Sequence, residues 1–172
     1  VDLIAEKIGA VVKISSVYKT ESWGFKSDDF LNICIQITTG LNPEMLLKSI
    51  HEIELLLGRK RTSETGYKAR IIDIDVLLFD TEIIISKELM VPHKEMLNRK
   101  FVLVPLAEIA PNLIHPITKQ RIQTCLENCT NNSPVEKTDL TLNRPVSLAE
   151  KFNYIAIEGN IGSGKTTLAT MI

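Results

Sequence analysis

Apolar and polar positions alternate along this chain in short blocks, and each block predicts one element. DLIAEKIGA, residues 2–10, spaces its apolar side chains for a helix, and VVKISSVYKT, 11–20, alternates as a strand does. ESWGFKSDD, 21–29, reads as loop, and FLNICIQITT, 30–39, as a second strand. Asn42 followed by Pro43 predicts a helix start, with a capping side chain and a proline in the first turn. Leu46, Ile50, Ile53 and Leu57 then recur at helical spacing as one buried stripe, and Gly58 ends the helix. RKRTSETGYKAR, 59–70, is basic and aperiodic, so a loop is expected. IIDIDVLLFD, 71–80, predicts a strand, with TEIII, 81–85, pairing beside it. VPHKEMLNRKFVLVPLAEIAP, 91–111, mixes a turn with short helices, and a helix near Gln120 to Asn128 closes the unit.

From Cys129 to Lys151 the chain turns rich in Asn, Thr, Ser and Pro without a sustained period, which predicts a linker. FNYIAIE then restarts as a strand. The expected layout is a first domain over 1–128, a linker over 129–151 and the truncated opening of a second domain over 152–172. In the first domain the order of elements is that of an α+β ferredoxin-like sandwich whose first strand is missing. That strand lies inside such a sheet, and without it backbone donors and acceptors on both neighbours lose partners. The chain is therefore expected to be a piece of a longer reading frame, poorly stable by itself.

Composition narrows the function. A net charge of −1 argues against a protein that coats nucleic acid, and no apolar run approaches the ~20 residues that span a bilayer. Three cysteines, Cys34, Cys125 and Cys129, fit a reducing cytoplasm. Cys125 and Cys129 lack two further ligands nearby, so ordinary thiols are expected rather than a zinc site.

The chemistry concentrates in IIDIDVLL. Strand side chains alternate, so Ile72, Ile74, Val76 and Leu78 point one way and Asp73 and Asp75 share the other. Two carboxylates roughly 7 Å apart repel by roughly 2 kcal/mol at an effective dielectric of about 20. A divalent cation offsets this naturally, because Mg²⁺ takes one or two carboxylates together with substrate phosphates. Taken alone, the pair reads first as two solvated acids on an open sheet face. Its flanks shift that balance: Arg59, Lys60, Arg61, Lys68 and Arg70 crowd the loop that feeds the strand, and His93, Arg99 and Lys100 follow it. Basic side chains beside a carboxylate pair suit a metal-bridged polyphosphate.

A second phosphate signal stands in IEGNIGSGKTTLATMI, 157–172. Gly159, Gly164, Lys165 and Thr166 fit G-x-x-x-x-G-K-[ST], in which backbone N–H groups cradle phosphates, the lysine meets the outer phosphates and the threonine meets Mg²⁺.

Residues 1 to about 128 resemble hydroxymethyldihydropterin pyrophosphokinase, the folate-pathway enzyme that moves diphosphate from ATP to a pterin alcohol. The resemblance rests on SSVYKTESWG, DFLN, IELLLGR, RIIDIDVLLF, VPHKEMLNRKFVLVPLAEIAP and the following HP. It implies that Asp73 and Asp75 ligate two Mg²⁺ ions holding the ATP phosphates. It implies that Arg59 and Arg70 act on the phosphates with Lys68, from a mobile loop, and that His93 and Arg99 contact them from the VPH…NR segment. Glu54 would sit near the nucleotide. Thr20, Phe30, Asn32 and Phe101 would form the pterin site, the two rings sandwiching the pterin, with Tyr67 standing where many members carry Trp. The plainer alternative makes Phe30 and Phe101 core residues and His93 a satisfied turn histidine. The family's first strand and Gly-Ser-Asn loop have no counterpart here, and Glu88 lies where some members place Arg.

YIAIEGNIGSGKTTLA is similar to the start of a deoxynucleoside kinase, an α/β P-loop enzyme, which implies a deoxynucleoside as a further substrate. Three functions thus stand apart. Pterin-dependent AMP release marks a pyrophosphokinase, and ADP release with a deoxynucleoside marks a P-loop kinase as the main activity. A ferredoxin-like sensor would bind no Mg²⁺-dependent ATP.

Overall fold

The computed structural model describes residues 1–20, 29–59 and 71–146. Its architecture is α+β, built from small antiparallel sheets and short helices. Helix α1 (Asp2–Lys7) leads into β1 (Ala10–Ile14), β2 (Tyr18–Thr20), β3 (Phe30–Asn32) and β4 (Ile35–Thr38). Helix α2 (Pro43–Leu56) follows, then β5 (Ile84–Ile85), β6 (Met90–Val91), a 3-10 turn (Met96–Asn98), α3 (Lys100–Ile109), α4 (Ile122–Glu127) and β7 (Glu136–Lys137). Among the described residues no helix is long and apolar enough to cross a membrane.

The expected helix over 2–10 stops at Lys7. Gly9 lies so close to the β4 end that a Cβ there would overlap the Thr38 carbonyl oxygen, so the chain turns tightly into β1. The two long strands expected over 11–20 and 30–39 each divide. β1 pairs with β4, whereas β2 pairs with β3 in another sheet. The break falls where Ser15 N donates to Cys34 O at 2.9 Å and Cys34 N donates to Ser15 Oγ at 2.9 Å. A buried serine hydroxyl thus replaces a ladder bond and lets both chains change sheet together.

Helix α2 follows its sequence signals closely. Met45 N donates to the Asn42 side chain at 2.8 Å, Pro43 occupies the first turn, and Leu46, Ile50 and Ile53 are buried. Leu57 instead stands 42% exposed, and Glu54 takes the fourth buried position at 2% exposure. The helix ends on Gly58 at φ +91, a left-handed conformation that glycine adopts without a Cβ clash.

Residues 71–80 make no strand ladder among the described residues, contrary to expectation, and β5 pairs with β6 rather than beside them. The segment is nonetheless clamped between two cores. Ile74, Val76 and Phe79 pack on Ile8, Leu46, Ile50 and Ile53 beneath α1 and α2. Leu77 and Leu78 pack on the cluster of Met96, Leu103, Leu106 and Ile122 around α3 and α4. Asp73 and Asp75 therefore face outward while Ile74 and Val76 face inward, as the alternation predicts; Leu78 departs from it and joins the second core.

Part of the segment expected as a linker lies against the first unit. β7 adds to the free edge of β2, Thr138 N donates to Val17 O at 2.9 Å, and Arg144 Nη1 donates to Val11 O at 3.3 Å.

Candidate active site

Two groups of side chains converge around the outward acids. In the first, Arg59 Nη1 donates to Asp73 Oδ1 at 2.7 Å and also pairs with the Glu54 carboxylate. Glu54 Oε1 further accepts from Ile74 N at 2.9 Å, so the buried acid grips the backbone between the two aspartates. In the second, His93 Nε2 and Arg99 Nη1 each stand 3.9 Å from Asp75 Oδ2. That is ion-pair range beyond hydrogen-bond length. The repulsion expected between the acids is thus met from both sides, by the Arg59 guanidinium at Asp73 and the Arg99 guanidinium at Asp75. His93 is placed by two backbone ties: its N–H donates to Leu77 O at 2.9 Å, and its Nδ1 accepts from Glu95 N at 3.3 Å. With Nδ1 accepting, a neutral ring carries its proton on Nε2, the nitrogen that faces Asp75.

The acid pair offers hard oxygen donors on one face, with side chains 45% and 44% exposed. No third His, Cys, Asp or Glu joins them into a closed metal cage among the described residues. Two accessible carboxylates without a cage suit Mg²⁺, which keeps waters and takes the rest of its shell from phosphate.

The β2–β3 hairpin builds a second patch. Tyr18 stands opposite Asn32 and Thr20 opposite Phe30, which puts all four on one face. Asn32 Nδ2 donates to Thr20 Oγ1 at 3.0 Å, and the Phe30 ring is 37% exposed. An aromatic ring that open beside an amide and a hydroxyl is not an ordinary core residue. α3 packs against both strands of this hairpin and carries Phe101 at its start. Arg99 lies 5.8 Å from the centroid of the Phe101 ring and 3.9 Å from Asp75 Oδ2.

A match to the family model described as 7,8-dihydro-6-hydroxymethylpterin-pyrophosphokinase (HPPK) covers residues 1–111. The chain belongs to this family. The pterin pyrophosphokinase of Aquifex aeolicus is 41% identical over 119 residues, covering 69% of this chain and 73% of the relative. That of Bacillus subtilis is 46% identical over 100 residues, covering 58% of this chain and 59% of the relative. A folic acid synthesis protein of Dictyostelium discoideum is 38% identical over 142 residues, 79% of this chain but 21% of that much longer protein.

The structure brings some of the expected site residues together and leaves others outside the described residues. Glu54, Arg59 and Asp73 form one ion-paired set, His93 and Arg99 lie beside Asp75 in a second, and Thr20, Phe30 and Asn32 share the hairpin face. Tyr67, Lys68 and Arg70, and the loop of Gly159, Gly164, Lys165 and Thr166, lie outside the described residues. Sequence reasoning missed the Glu108 side chain on α3. It accepts from Ser16 N at 2.8 Å, Ser16 Oγ at 2.6 Å and Tyr18 OH at 3.2 Å, fastening the helix to the hairpin. Burial raises the Glu108 carboxyl, but the donors from Ser16 and Tyr18, with Lys137 nearby, outweigh it and hold the group below its ordinary range. Tyr18 is pushed up by burial and by that same carboxylate. The signal available was EIAP following a helical apolar run, which marks only a helix end.

Proposed function

We propose that the chain transfers diphosphate from ATP to 6-hydroxymethyl-7,8-dihydropterin and releases AMP, a step of folate biosynthesis. The observation that carries this reading is the outward pair Asp73 and Asp75, flanked by Arg59, His93 and Arg99 and adjoining the helix that packs on the Thr20–Phe30–Asn32 face. Family membership supports the same reading. Asp73 and Asp75 would hold Mg²⁺, two ions with ATP, and the bound metal neutralises phosphate charge. His93 and Arg99 would direct N–H donors at phosphate oxygens, joined by Arg59 and by Lys68 and Arg70 from the 59–70 segment. Phe30 and Phe101 would stack on the flat pterin, Asn32 would bond its edge with Thr20 alongside, and Tyr67 would close the same pocket.

In the reaction the pterin hydroxymethyl oxygen forms a bond to the β-phosphorus of ATP. The bond from that phosphorus to the oxygen bridging the α-phosphate breaks, AMP leaves with the electron pair, and the hydroxymethyl proton is lost to solvent. Positioning and charge neutralisation carry most of the acceleration in such transfers, and no side chain here is required as a general base. The packing of α1 and α2 beneath the β1–β4 pair favours a ferredoxin-like sandwich for the first domain, over 1–128. The experiment is direct: the full-length protein, given ATP, Mg²⁺ and the pterin alcohol, should form AMP only when all three are present. Formation of ADP instead would refute the reading.

A second activity is proposed for 152–172, beyond the 129–151 segment. Gly159, Gly164, Lys165 and Thr166 carry the phosphate-loop pattern after an apolar strand pattern, which favours the opening of a deoxynucleoside kinase. ADP formation dependent on a deoxynucleoside, abolished by Lys165→Ala, tests it; failure of every deoxynucleoside to elicit ADP sinks it.

A further inference from the structure

Glu54 is a carboxylate buried to 2% exposure, and burial of a charge is costly unless it is paired and hydrogen-bonded. Its partners are specific. Oε1 accepts from Ile74 N at 2.9 Å and pairs with Arg59 Nη1, which also reaches Asp73 Oδ1 at 2.7 Å. The backbone repeats the link. Beyond α2, Gly58 N donates to Leu55 O and Arg59 N to Glu54 O, the reciprocal pattern of a glycine-terminated helix. This turn carries Arg59 back over Glu54. Ile74 is the residue between the two outward acids, and a one-residue slip there would turn both carboxylates inward. The segment has no ladder to fix its phase among the described residues, so the Glu54 bond adds to the inward packing of Ile74 and Val76 and to the His93 N–Leu77 O bond in holding it.

We propose that Glu54 is a positioning residue. It acts through Ile74 N and Arg59, holding Asp73 and Asp75 toward the phosphates, and does not touch the nucleotide. The inference rests on the proposed diphosphate transfer and deepens it.

Glu54→Gln keeps an oxygen for Ile74 N but removes the charge that restrains Arg59, which is then left to Asp73 alone. The test titrates Mg²⁺ calorimetrically into the full-length protein with α,β-methylene-ATP, and separately measures ATP affinity in EDTA. Loss of a charged hydrogen-bond partner should weaken Mg²⁺ binding roughly tenfold to a hundredfold, while affinity in EDTA stays within about twofold. Glu54→Asp, which keeps the charge one methylene short, carries the same two measurements if the glutamine variant fails to fold. An equal loss of affinity with and without Mg²⁺ would show direct nucleotide contact and overturn the proposal, as would unchanged Mg²⁺ binding. A wild-type protein that forms no AMP refutes the transfer reading itself; an active wild type with unaltered variants refutes only the role of Glu54.

Discussion

Asp75→Asn separates a functional acid from a structural one, because the first role predicts lost activity with stability kept and the second predicts that the two fall together. Asp73 and Asp75 face outward together, and two residues of fully extended backbone put their Cα atoms at most about 7 Å apart. At that separation their repulsion lies between about 0.6 kcal/mol in water-like surroundings and about 2 kcal/mol at an effective dielectric near 20. The Asp75 side chain is 44% exposed, which favours the lower figure. Against this stands Arg99 at 3.9 Å, a surface pair worth about 0–1 kcal/mol. The two effects nearly cancel, so the asparagine variant should unfold within about 1 kcal/mol of wild type, a shift of a few degrees in melting midpoint at most. If Asp75 anchors magnesium, kcat/KM should nevertheless fall by roughly a thousandfold or more, since a metal-held phosphate loses its anchor in the transition state. Thermal melts followed by circular dichroism, beside an AMP-release assay on the full-length protein, read both quantities. A variant that keeps a tenth of wild-type activity, or that loses activity only in proportion to its stability, would refute the reasoning.

Three further outcomes follow from the packing. Gly9→Ala should destabilise by about 1–3 kcal/mol, read as a lower urea midpoint, because the added methyl meets the Thr38 carbonyl rather than a movable side chain. Phe30→Ala should raise KM for the pterin at least tenfold while changing ATP affinity little, since the exposed ring lies on the hairpin face assigned to the pterin; equal losses for both substrates would contradict the assignment. Acid should weaken the fold in two stages. Burial lowers the His115 pKa, and its Nδ1 accepts from Ile117 N and Thr118 N at 3.2 Å, so protonation sets a proton against two donors. That contribution is complete above the ordinary histidine range near about 6.5 and is lost as pH falls below it. The Glu108 carboxyl is likewise held low, so its contribution persists above the ordinary range near about 4.3 and is lost in more acid solution. Urea midpoints that stay flat from about pH 7.5 to 5.5 would exclude the first stage.

Much of this molecule is legible in its sequence because local signals govern it. Asn42, Pro43 and Gly58 fix α2 through capping chemistry that depends only on neighbours along the chain. The alternation in 71–76 turns Asp73 and Asp75 outward whether or not the segment finds a strand partner. What escaped depends on distant groups. The long strands divide because Ser15 and Cys34, 19 positions apart, exchange bonds at a sheet change. Apolar periodicity favoured Leu57 over Glu54 for the buried stripe, since a hydropathy pattern does not anticipate a carboxylate paid for by Ile74 N and Arg59. β7 arises in a polar stretch with no period of its own, where backbone pairing to β2 decides the outcome.

The central claim is that Asp73 and Asp75 hold magnesium against the ATP phosphates. It is tested most directly by determining the structure of the full-length protein with Mg²⁺ and α,β-methylene-ATP. The account predicts metal at about 2.1 Å from carboxylate oxygens of both aspartates and from phosphate oxygens of the nucleotide. Nucleotide bound elsewhere, or bound with no metal at either carboxylate, contradicts it.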